Sequence, residues 1–309
     1  MDTLGKYLEQ TVEQIGSVIL GKEQAIRLSL SCLLARGHLL IEDLPGMGKT
    51  TLAHALACCL GLRYQRIQFT SDLLPADILG AAVYERQREA FIFHPGPIFA
   101  QLILADEINR ATPKTQSSLL EAMEEGQVTV EGETRKLPVP FFVVATQNPA
   151  YQIGTFPLPE SQLDRFLMRI DLGYPDAEAE RLLLEGEDRR EVLERLPVCM
   201  SLNQLREAQA RVMGIHAAAP LFDYVQALLV FSRQSDRFRG GLSPRAGLAL
   251  LRAARAWALL HHRSHVLPED VQMVLPAVVG HRLYPGDDNL EASSSGLVGQ
   301  LLNGVALPA

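Results

Sequence analysis

The feature that most constrains this chain is a glycine-rich loop between two apolar runs. The first run, His38 to Ile41, predicts a buried strand, and the second, Leu52 to Leu60, predicts a helix. The segment Pro45-Gly46-Met47-Gly48-Lys49-Thr50 joins them. Glycine permits the unusual backbone angles that let several N–H groups converge, and the helix dipole adds positive potential at the same place. The loop therefore predicts a phosphate site in an α/β fold.

The same loop predicts ATP with Mg²⁺ as its ligand. Lys49 offers a full positive charge to the β- and γ-phosphates, and the Thr50 hydroxyl is an oxygen ligand of the kind that Mg²⁺ prefers. The strict pattern G-x-x-x-x-G-K-[ST] requires glycine at position 43, where this chain has Asp43. The predicted nucleotide-binding residues are Gly46, Met47, Gly48, Lys49, Thr50 and Thr51.

Two acidic residues end a second buried run, Gln101 to Ala105. Ligands of open α/β sheets bind beyond the carboxyl ends of the strands, so Asp106 is predicted to face Mg²⁺ and Glu107 to polarise the attacking water. The alternative is a solvated pair of carboxylates at a strand end. With the loop, the pair predicts an ATPase.

Composition bounds the remaining possibilities. The chain has 309 residues and 34.0 kDa, enough for two domains, and a net charge of −7. Acidic residues outnumber basic ones on both sides of Ile170, which argues against nucleic acid as the main ligand. No apolar run reaches bilayer length, and Met1 to Gln14 is polar, so we expect a cytoplasmic protein without membrane insertion. The four cysteines show neither metal spacing nor a disulfide framework and are expected to be small buried hydrophobes.

Strand patterns alternate with helical ones up to about Asp171, and helical patterns follow. We predict an α/β core over residues 1–172, a helical domain over 173–285, and a tail or final helical element over 286–309. The further predicted strands are Tyr64 to Thr70, Leu102 to Ala105, Phe141 to Ala145 and Phe166 to Leu172. Two hairpins are also predicted, Gly80 to Gly96 and Gly126 to Leu137, either as exposed loop elaborations or as the connections that line the central hole of ring ATPases.

The helical domain carries recognisable helix starts. Asp176 and Ser243 are predicted N-caps, and Arg245 falls in the first turn after Ser243. A cation there opposes the helix dipole, so Arg245 requires a compensating anion. The predicted helices are Ala177 to Gly186, Leu202 to Met213, Leu221 to Gln234, Ser243 to Leu260 and Pro268 to Gly280. The sequence does not define the role of the final apolar segment.

With these features together the chain resembles the MoxR family of AAA+ ATPases over almost its whole length. The resemblance implies an AAA+ P-loop NTPase core with a parallel sheet and hairpin insertions, followed by a helical lid. The stretches that carry it are Asp106 to Gln116, Leu119 to Glu125, Ala145 to Pro149, Gly154 to Glu160, Gln162 to Phe166 and Ser243 to Ala246.

The resemblance also implies roles for polar residues outside the loop. Asn148 looks like the first sensor, which positions the attacking water with Glu107. Arg165 looks like the arginine finger that reaches a neighbouring subunit's γ-phosphate, and Arg245 like the second sensor, which contacts phosphates within its own subunit. An ordinary turn residue is the alternative for Asn148, and a salt bridge with Asp164 or Asp171 is the alternative for Arg165. A trans role and a structural role remain open for Arg110.

A finger supplied in trans makes hydrolysis depend on a ring, and the resemblance implies a hexamer. Val18 to Gly21 resembles the segment that packs on the adenine, and Tyr174 with Pro175 covers it from the lid side. Burial of Val18 to Gly21 in the core is an equal alternative. His261 and His265 have a metal-compatible spacing, but such residues more often lie at a helix end.

Three functions are compatible with these features. The resemblance implies a chaperone-like remodeller that acts on protein clients with a von Willebrand factor A domain protein, in maturation or metal-cofactor insertion. The alternative is a nucleic-acid motor of the helicase type. It is disfavoured because Glu131 and Glu133 balance Arg135 and Lys136 in the second hairpin. A docking switch without turnover is disfavoured because Glu107 and Asn148 are both present.

Overall fold

Strands and helices alternate in the first half of the chain and helices dominate the second half, as the sequence predicts. The structure, a computed structural model, describes residues 3–148, 155–286 and 293–307. The strands are β1 (Leu39–Glu42), β2 (Tyr64–Gln68), β3 (Gly80–Glu85), β4 (Ala90–Pro95), β5 (Leu102–Asp106), β6 (Gln127–Val130), β7 (Glu133–Lys136), β8 (Phe142–Gln147), β9 (Met168–Ile170), β10 (Phe238–Arg239) and β11 (Tyr284–Pro285). The helices are α1 (Thr3–Gly16), α2 (Glu23–Leu34), α3 (Lys49–Cys59), α4 (Pro75–Leu79), α5 (Pro113–Glu125), α6 (Glu160–Leu163), α7 (Ala177–Glu185), α8 (Arg189–Glu194), α9 (Leu202–Gly214), α10 (Ala219–Gln234), α11 (Pro244–Leu260), α12 (Pro268–Val279) and α13 (Ser294–Asn303).

The predicted parallel sheet has five strands in the order β2-β5-β8-β1-β9. β1, β5 and β8 are almost continuously buried, as expected for parallel strands covered on both faces. The last predicted strand, Phe166 to Leu172, is shorter in the structure, where only Met168–Ile170 pairs with β1. Because β5, β8 and β1 are neighbours, the side chains that follow them meet at one end of the sheet.

Both predicted hairpins are present. β3 pairs with β4, and β6 pairs with β7, each antiparallel. At the base of the first hairpin Gly80, with a φ of 93°, crosses Gly96 so closely that a Cβ at Gly80 would lie 2.3 Å from the His94 carbonyl oxygen. The Arg135 guanidinium lies 3.9 Å from the centre of the Phe93 ring, so the two hairpins contact each other.

The helical part and the sheet share one apolar cluster. α1 and α2, which precede the sheet, pack on α11, and buried side chains of α3, β1 and β9 belong to the same cluster as those of α9 to α13. The predicted division at residue 172 therefore does not separate two hydrophobic cores, and the two domain boundaries stay predictions. The final segment contains the helix α13, whereas residues 287–292 and 308–309 lie outside the described part of the chain.

The predicted caps are confirmed. The Asp176 carboxylate accepts from the Ala179 N–H at 2.8 Å, and the Ser243 hydroxyl accepts from the Ala246 N–H at 3.2 Å. The helix α8 was not predicted. α11 ends at Leu260, so His261 and His265 do not share a helical face. His261 Nδ1 instead lies 2.9 Å from the Trp257 carbonyl oxygen.

Three of the four cysteines, Cys32, Cys59 and Cys199, are buried free thiols as predicted, whereas Cys58 is half-buried. None of the helices that the structure describes is long and apolar enough to cross a bilayer.

Candidate nucleotide site

The glycine-rich loop turns sharply between β1 and α3. Gly46 and Gly48 have φ angles of 87° and 89°, in the left-handed region that disfavours other residues, and Gly48 is the N-cap of α3. A Cβ at Gly46 would meet no heavy atom within 4 Å, so backbone conformation rather than crowding selects glycine there. The first N–H groups of α3 are left without intrahelical partners, which gives the loop its anion-binding character.

The loop faces a cavity of about 310 Å³ beyond the ends of β1, β5 and β8. The cavity combines loop residues with the acidic pair and with Asn148, which the sequence places far apart. Met47, predicted to bind the nucleotide, does not line this cavity and packs against the apolar core instead. The lining residues are Pro45, Gly46, Gly48, Lys49, Thr50, Thr51, Asp106, Glu107 and Asn148.

Lys49 is the buried cation of this cavity, with 8 % of its surface exposed. Its Nζ donates to the Asp43 carbonyl at 2.5 Å and to Asn148 Oδ1 at 3.3 Å. Burial lowers the pKa of the ammonium, and the carboxylates of Asp43, Asp106 and Glu107 act in the opposite direction. The Lys49 ammonium thus donates to a carbonyl and an amide oxygen, both neutral, and a phosphate oxygen would be a stronger acceptor in their place.

Replacing Lys49 with alanine is expected to remove ATP binding while the fold is kept. The change deletes the positive charge beside the cradle, the loop glycines are unchanged, and alanine at the first position of α3 favours the helix. Titration of a fluorescent ATP analogue would measure an increase in Kd of about 100-fold or more, since charged hydrogen bonds contribute roughly 1.5–3 kcal/mol each. Lys6→Ala, which removes an exposed lysine of α1 outside the cavity, is the control. Unchanged affinity in the Lys49 variant would contradict the site.

The two acidic residues are held by different neighbours. Asp106 Oδ1 accepts from the Thr146 hydroxyl at 2.6 Å, and Oδ2 accepts from Arg66 at 2.7 Å. Glu107 has a φ of 57°, a left-handed conformation that is uncommon outside glycine and is found at functional sites. This turn at the end of β5 directs the Glu107 side chain into the cavity rather than along the strand.

Asn148 connects the loop lysine to Glu107. Its Oδ1 accepts from Lys49, and its Nδ2 donates to Glu107 Oε1 at 3.1 Å. The other carboxylate oxygen, Glu107 Oε2, accepts from Gln68 Nε2 at 3.0 Å and lies 3.1 Å from Arg110 Nε. Asn148 is 4 % exposed, and its side chain bonds both Lys49 and Glu107, which an ordinary turn residue would not do. Arg110 contacts Glu107 of its own subunit. Pro149, the next residue of the motif, lies outside the described residues.

Thr50 and Asp106 supply oxygen ligands of the type that Mg²⁺ binds, and both line the same cavity. In the part of the chain that the structure describes, no group of three or more His, Cys, Asp or Glu side chains could hold a metal ion. Such a sparse donor set fits Mg²⁺, which takes one or two protein oxygens and completes its shell with water and phosphate.

Arg165 and Arg245 do not line this cavity; they share a different carboxylate. Arg165 Nε lies 3.1 Å from Glu124 Oε2 at the end of α5, and Arg245 donates to Glu124 Oε1. Arg245 also lies 3.6 Å from Asp164 Oδ2. The hydrogen bond from Arg245 lowers the pKa of the Glu124 carboxyl, so that group is held charged. Glu124 is a compensating anion of the kind that the sequence required for Arg245, and the role of Arg245 as second sensor stays a prediction.

A buried arginine fixes the segment that carries Arg165. Arg282, at the end of α12, has 6 % of its side chain exposed. It donates to Asp164 Oδ1 at 2.6 Å and to the Phe166 carbonyl at 2.7 Å, on either side of Arg165. The salt bridge predicted as an alternative for Arg165 exists, but with Glu124 rather than Asp164 or Asp171.

The predicted adenine segment lies between the loop and the entry to α7. Val18 and Ile19 are buried members of the core, and Ile19 Cδ1 lies 3.8 Å from the position a Cβ of Gly48 would take. The Lys22 ammonium donates to the Tyr174 carbonyl, and the Tyr174 side chain is 70 % exposed. Val18 and Ile19 thus belong to the apolar core and also lie beside the phosphate loop. The contact of this segment with adenine stays a prediction.

Several residues that organise the site were not predicted from the sequence. Arg66 and Gln68 reach the acidic pair from β2. Thr146 donates to Asp106, and Glu124 binds both Arg165 and Arg245. A signal existed for the first two, because Arg66 and Gln68 flank the buried Ile67 and therefore lie on one face of β2 at its carboxyl end. No local pattern points to Glu124.

Comparison with known proteins agrees with this geometry. Residues 38–168 match the family model described as "ATPase family associated with various cellular activities (AAA)", and residues 230–295 match the AAA lid domain. The chain is 43% identical to the uncharacterized protein YeaC of Bacillus subtilis, over 99% of this chain and 97% of that protein. It is 39% identical to "Chaperone MoxR1" of Mycobacterium tuberculosis, over 97% of this chain and 82% of that protein. A crystal structure from Cytophaga hutchinsonii, described as a candidate ATPase, superposes with a TM-score of 0.88 at 33% identity, over 99% of this chain and 96% of that one.

Proposed function

This chain belongs to the MoxR family of AAA+ ATPases, and on that basis we propose that it hydrolyses ATP with Mg²⁺ in a ring of identical subunits and remodels protein clients as a chaperone. One observation carries the proposal. The loop lysine, Asn148 and Glu107 form a continuous hydrogen-bonded chain around one cavity.

The proposed chemistry starts from the loop. Backbone N–H groups between Gly46 and Thr51 and the Lys49 ammonium would bind the phosphates, and Thr50 and Asp106 would hold Mg²⁺. When bound, the ion neutralises charge on the phosphate oxygens. Thr146 and Arg66 keep the Asp106 carboxylate in one orientation. These contacts support a preformed site that needs little rearrangement to accept the nucleotide.

Glu107 is the proposed base for the attacking water. Asn148 and Gln68 each donate to one of its carboxylate oxygens, which restricts rotation of the side chain without protonating it. Oε2 already has Gln68 and Arg110 as neighbours, so Oε1, which accepts from Asn148, is the oxygen with lone-pair capacity for a water proton. Asn148 thus both orients Glu107 and contacts Lys49, so phosphate binding and water activation are linked through one amide.

The grouping of Arg165 with Arg245 supports a catalytic role in trans. Neither arginine lines its own subunit's cavity, and both are presented at Glu124 beside the segment that Arg282 fixes. The three guanidinium groups of Arg165, Arg245 and Arg282 share two carboxylates, Glu124 and Asp164, which leaves positive charge that a neighbour's γ-phosphate would complement. We therefore assign both arginines to the neighbouring subunit's nucleotide, which revises the cis role expected for Arg245. A hexameric ring follows as the proposed assembly.

The first hairpin supports a protein client rather than a nucleic acid. Tyr84 and Phe91 are 51 % and 73 % exposed, and their rings contact edge to face at 5.4 Å. The turn beside them has two acids and two bases, Glu85, Arg86, Arg88 and Glu89, so no cationic stripe is present there to follow a phosphate backbone. An exposed aromatic pair with balanced charge suits apolar segments of a protein.

The partner and the process are proposed from the family. We propose that a von Willebrand factor A domain protein acts with the ring, and that the work done on the client is maturation or metal-cofactor insertion. A helicase-type motor is the second candidate. It would require basic surfaces, which the hairpins lack.

The proposal is tested by asking what accelerates turnover. ATPase rates are measured with single-stranded DNA, with an unfolded protein, and with a purified A-domain protein of the same organism, and sedimentation in ATP gives the assembly state. Stimulation by protein but not DNA is expected, and it should be lost in Tyr84→Ser/Phe91→Ser. Leu248→Ser, which changes a 64 % exposed leucine in the helical part, is the control. Stimulation by DNA alone would favour the motor.

A further inference from the structure

Asp43 lies where the strict phosphate-loop pattern has glycine, and its side chain contacts the segment that follows β9. Oδ2 accepts from the backbone N–H groups of Leu172 at 2.8 Å and Gly173 at 2.7 Å, while Oδ1 accepts from the Leu44 N–H at 2.7 Å. A carboxylate with three N–H donors is strongly bound, because each hydrogen bond is charge-assisted. Glycine could make none of these contacts.

The backbone of the same residue belongs to the phosphate loop. The Asp43 N–H donates to the Gln147 carbonyl at the end of β8, at 3.3 Å, and the Asp43 carbonyl accepts from Lys49 Nζ at 2.5 Å. One residue therefore contacts the strand that carries Asn148, the phosphate-binding lysine, and the segment after β9.

The segment that Asp43 holds is the entry to the helical part. We call Leu172, Gly173 and Tyr174 the hinge segment; it lies between β9 and the N-cap of α7. Gly173 has a φ of 61°, and a Cβ there would meet no heavy atom within 4 Å, so the backbone is left-handed but not crowded. Lys22 holds the other side of the hinge segment through the Tyr174 carbonyl. The hinge segment is thus fixed by two side chains from outside it.

We propose that Asp43 is a positioning residue that transmits occupancy of the phosphate loop to the hinge segment. A bound phosphate attracts the Lys49 ammonium and competes with the Asp43 carbonyl for it. The residue that loses this contact is the one whose carboxylate fixes Leu172 and Gly173, so the hinge segment responds to the nucleotide. This inference rests on the proposed nucleotide site, and it assigns a purpose to the departure from the strict loop pattern.

Hydrogen exchange of the two hinge amides tests the coupling directly. In the unchanged protein, peptides that contain Leu172 and Gly173 should be protected, and ATP should change that protection. Asp43→Gly, which restores the strict pattern, should speed exchange at these amides by about tenfold or more and remove its dependence on ATP. Asp43→Asn keeps the size but has one oxygen, so it cannot serve both Leu44 and the hinge segment, and an intermediate effect is expected. If Asp43→Gly does not fold, the Asn variant decides.

Nucleotide affinity supplies a second readout. Despite its better match to the pattern, Asp43→Gly should raise the Kd for ATP by roughly tenfold. Asp171→Asn, which removes an exposed carboxylate beside the same hinge segment, is the matched control and should change neither exchange nor affinity. Wild-type exchange and affinity in both Asp43 variants would overturn the inference. Lys49→Ala distinguishes failure of the nucleotide site from failure of the coupling. If Lys49→Ala binds ATP normally, the proposed nucleotide site is wrong. If Lys49→Ala loses ATP binding while both Asp43 variants behave like the wild type, only the coupling is wrong.

Discussion

Replacing Arg165 with alanine is expected to lower kcat by about 10³- to 10⁵-fold, the range known for arginine fingers, while the Kd for ATP stays within about twofold. The side chain does not line the cavity of its own subunit, so binding there should not need it. Turnover should need it, because charge that develops on the γ-phosphoryl oxygens is stabilised only when a neighbour's guanidinium is docked. Steady-state hydrolysis and fluorescence titration measure the two quantities separately.

Mixing variants makes the trans assignment of Arg165 sharper. Subunits with Arg165→Ala keep a complete cavity, and subunits with Lys49→Ala keep a complete finger. A mixture should therefore regain part of the activity that neither has alone. Arg181→Ala removes a 77 % exposed arginine paired with Glu185, and this control should behave like the unchanged protein. Failure of the mixture to regain activity, or full turnover in the Arg165 variant, would remove the finger assignment.

The second large effect is expected from Glu107→Gln. Glutamine keeps the size of the side chain and one oxygen that can accept from Asn148, but it cannot act as a base. A kcat decrease of about 10²- to 10⁴-fold is expected, as for loss of a general base. ATP binding should persist, because Lys49 and the loop glycines are unchanged. Single-turnover hydrolysis with a parallel binding titration measures both.

The Glu107 variant also decides between an ATPase cycle and a nucleotide-dependent docking switch. A switch without turnover would be indifferent to the base, so client and partner binding would cycle normally in Glu107→Gln. A remodeller would instead hold both, since hydrolysis is blocked with ATP bound. Glu125→Gln neutralises an exposed glutamate at the end of α5 and serves as the control. Hydrolysis at the normal rate in Glu107→Gln would contradict the assigned base.

The features that the sequence predicted well are those encoded by neighbouring residues. The phosphate loop follows from glycines, a lysine and a threonine within a few positions, between a strand and a helix whose apolar patterns are local. The same holds for the hairpins, where alternation and turn residues lie side by side, and for the caps at Asp176 and Ser243. Strand ends are local as well, so the position of Asp106 and Glu107 at the end of β5 could be predicted.

Partners across the sheet could not be predicted in the same way. Arg66 and Gln68 touch the acidic pair only because β2 pairs with β5, and Asn148 reaches Lys49 because β8 lies beside β1. Strand order is set by the packing of the whole sheet against its helices, so no short stretch of sequence records it. The sequence shows these residues as polar side chains at strand ends, but it does not show which of them contact each other.

By itself, the sequence predicted a phosphate-binding loop after β1 and two carboxylates at the end of β5, because both depend on residues close together in the chain. Only the tertiary structure decided that Arg245 joins Arg165 at Glu124 rather than facing its own phosphate loop, and that Asp43 holds Leu172 and Gly173. The physical reason is distance along the chain. Arg245 and Glu124 are 121 residues apart, and Asp43 and Leu172 are 129 apart. The Asp43 contact depends on the pairing of β9 with β1. The Arg245 contact depends on how the helical part docks on the sheet through the shared apolar cluster, whose packing is non-directional and leaves no local sequence signal.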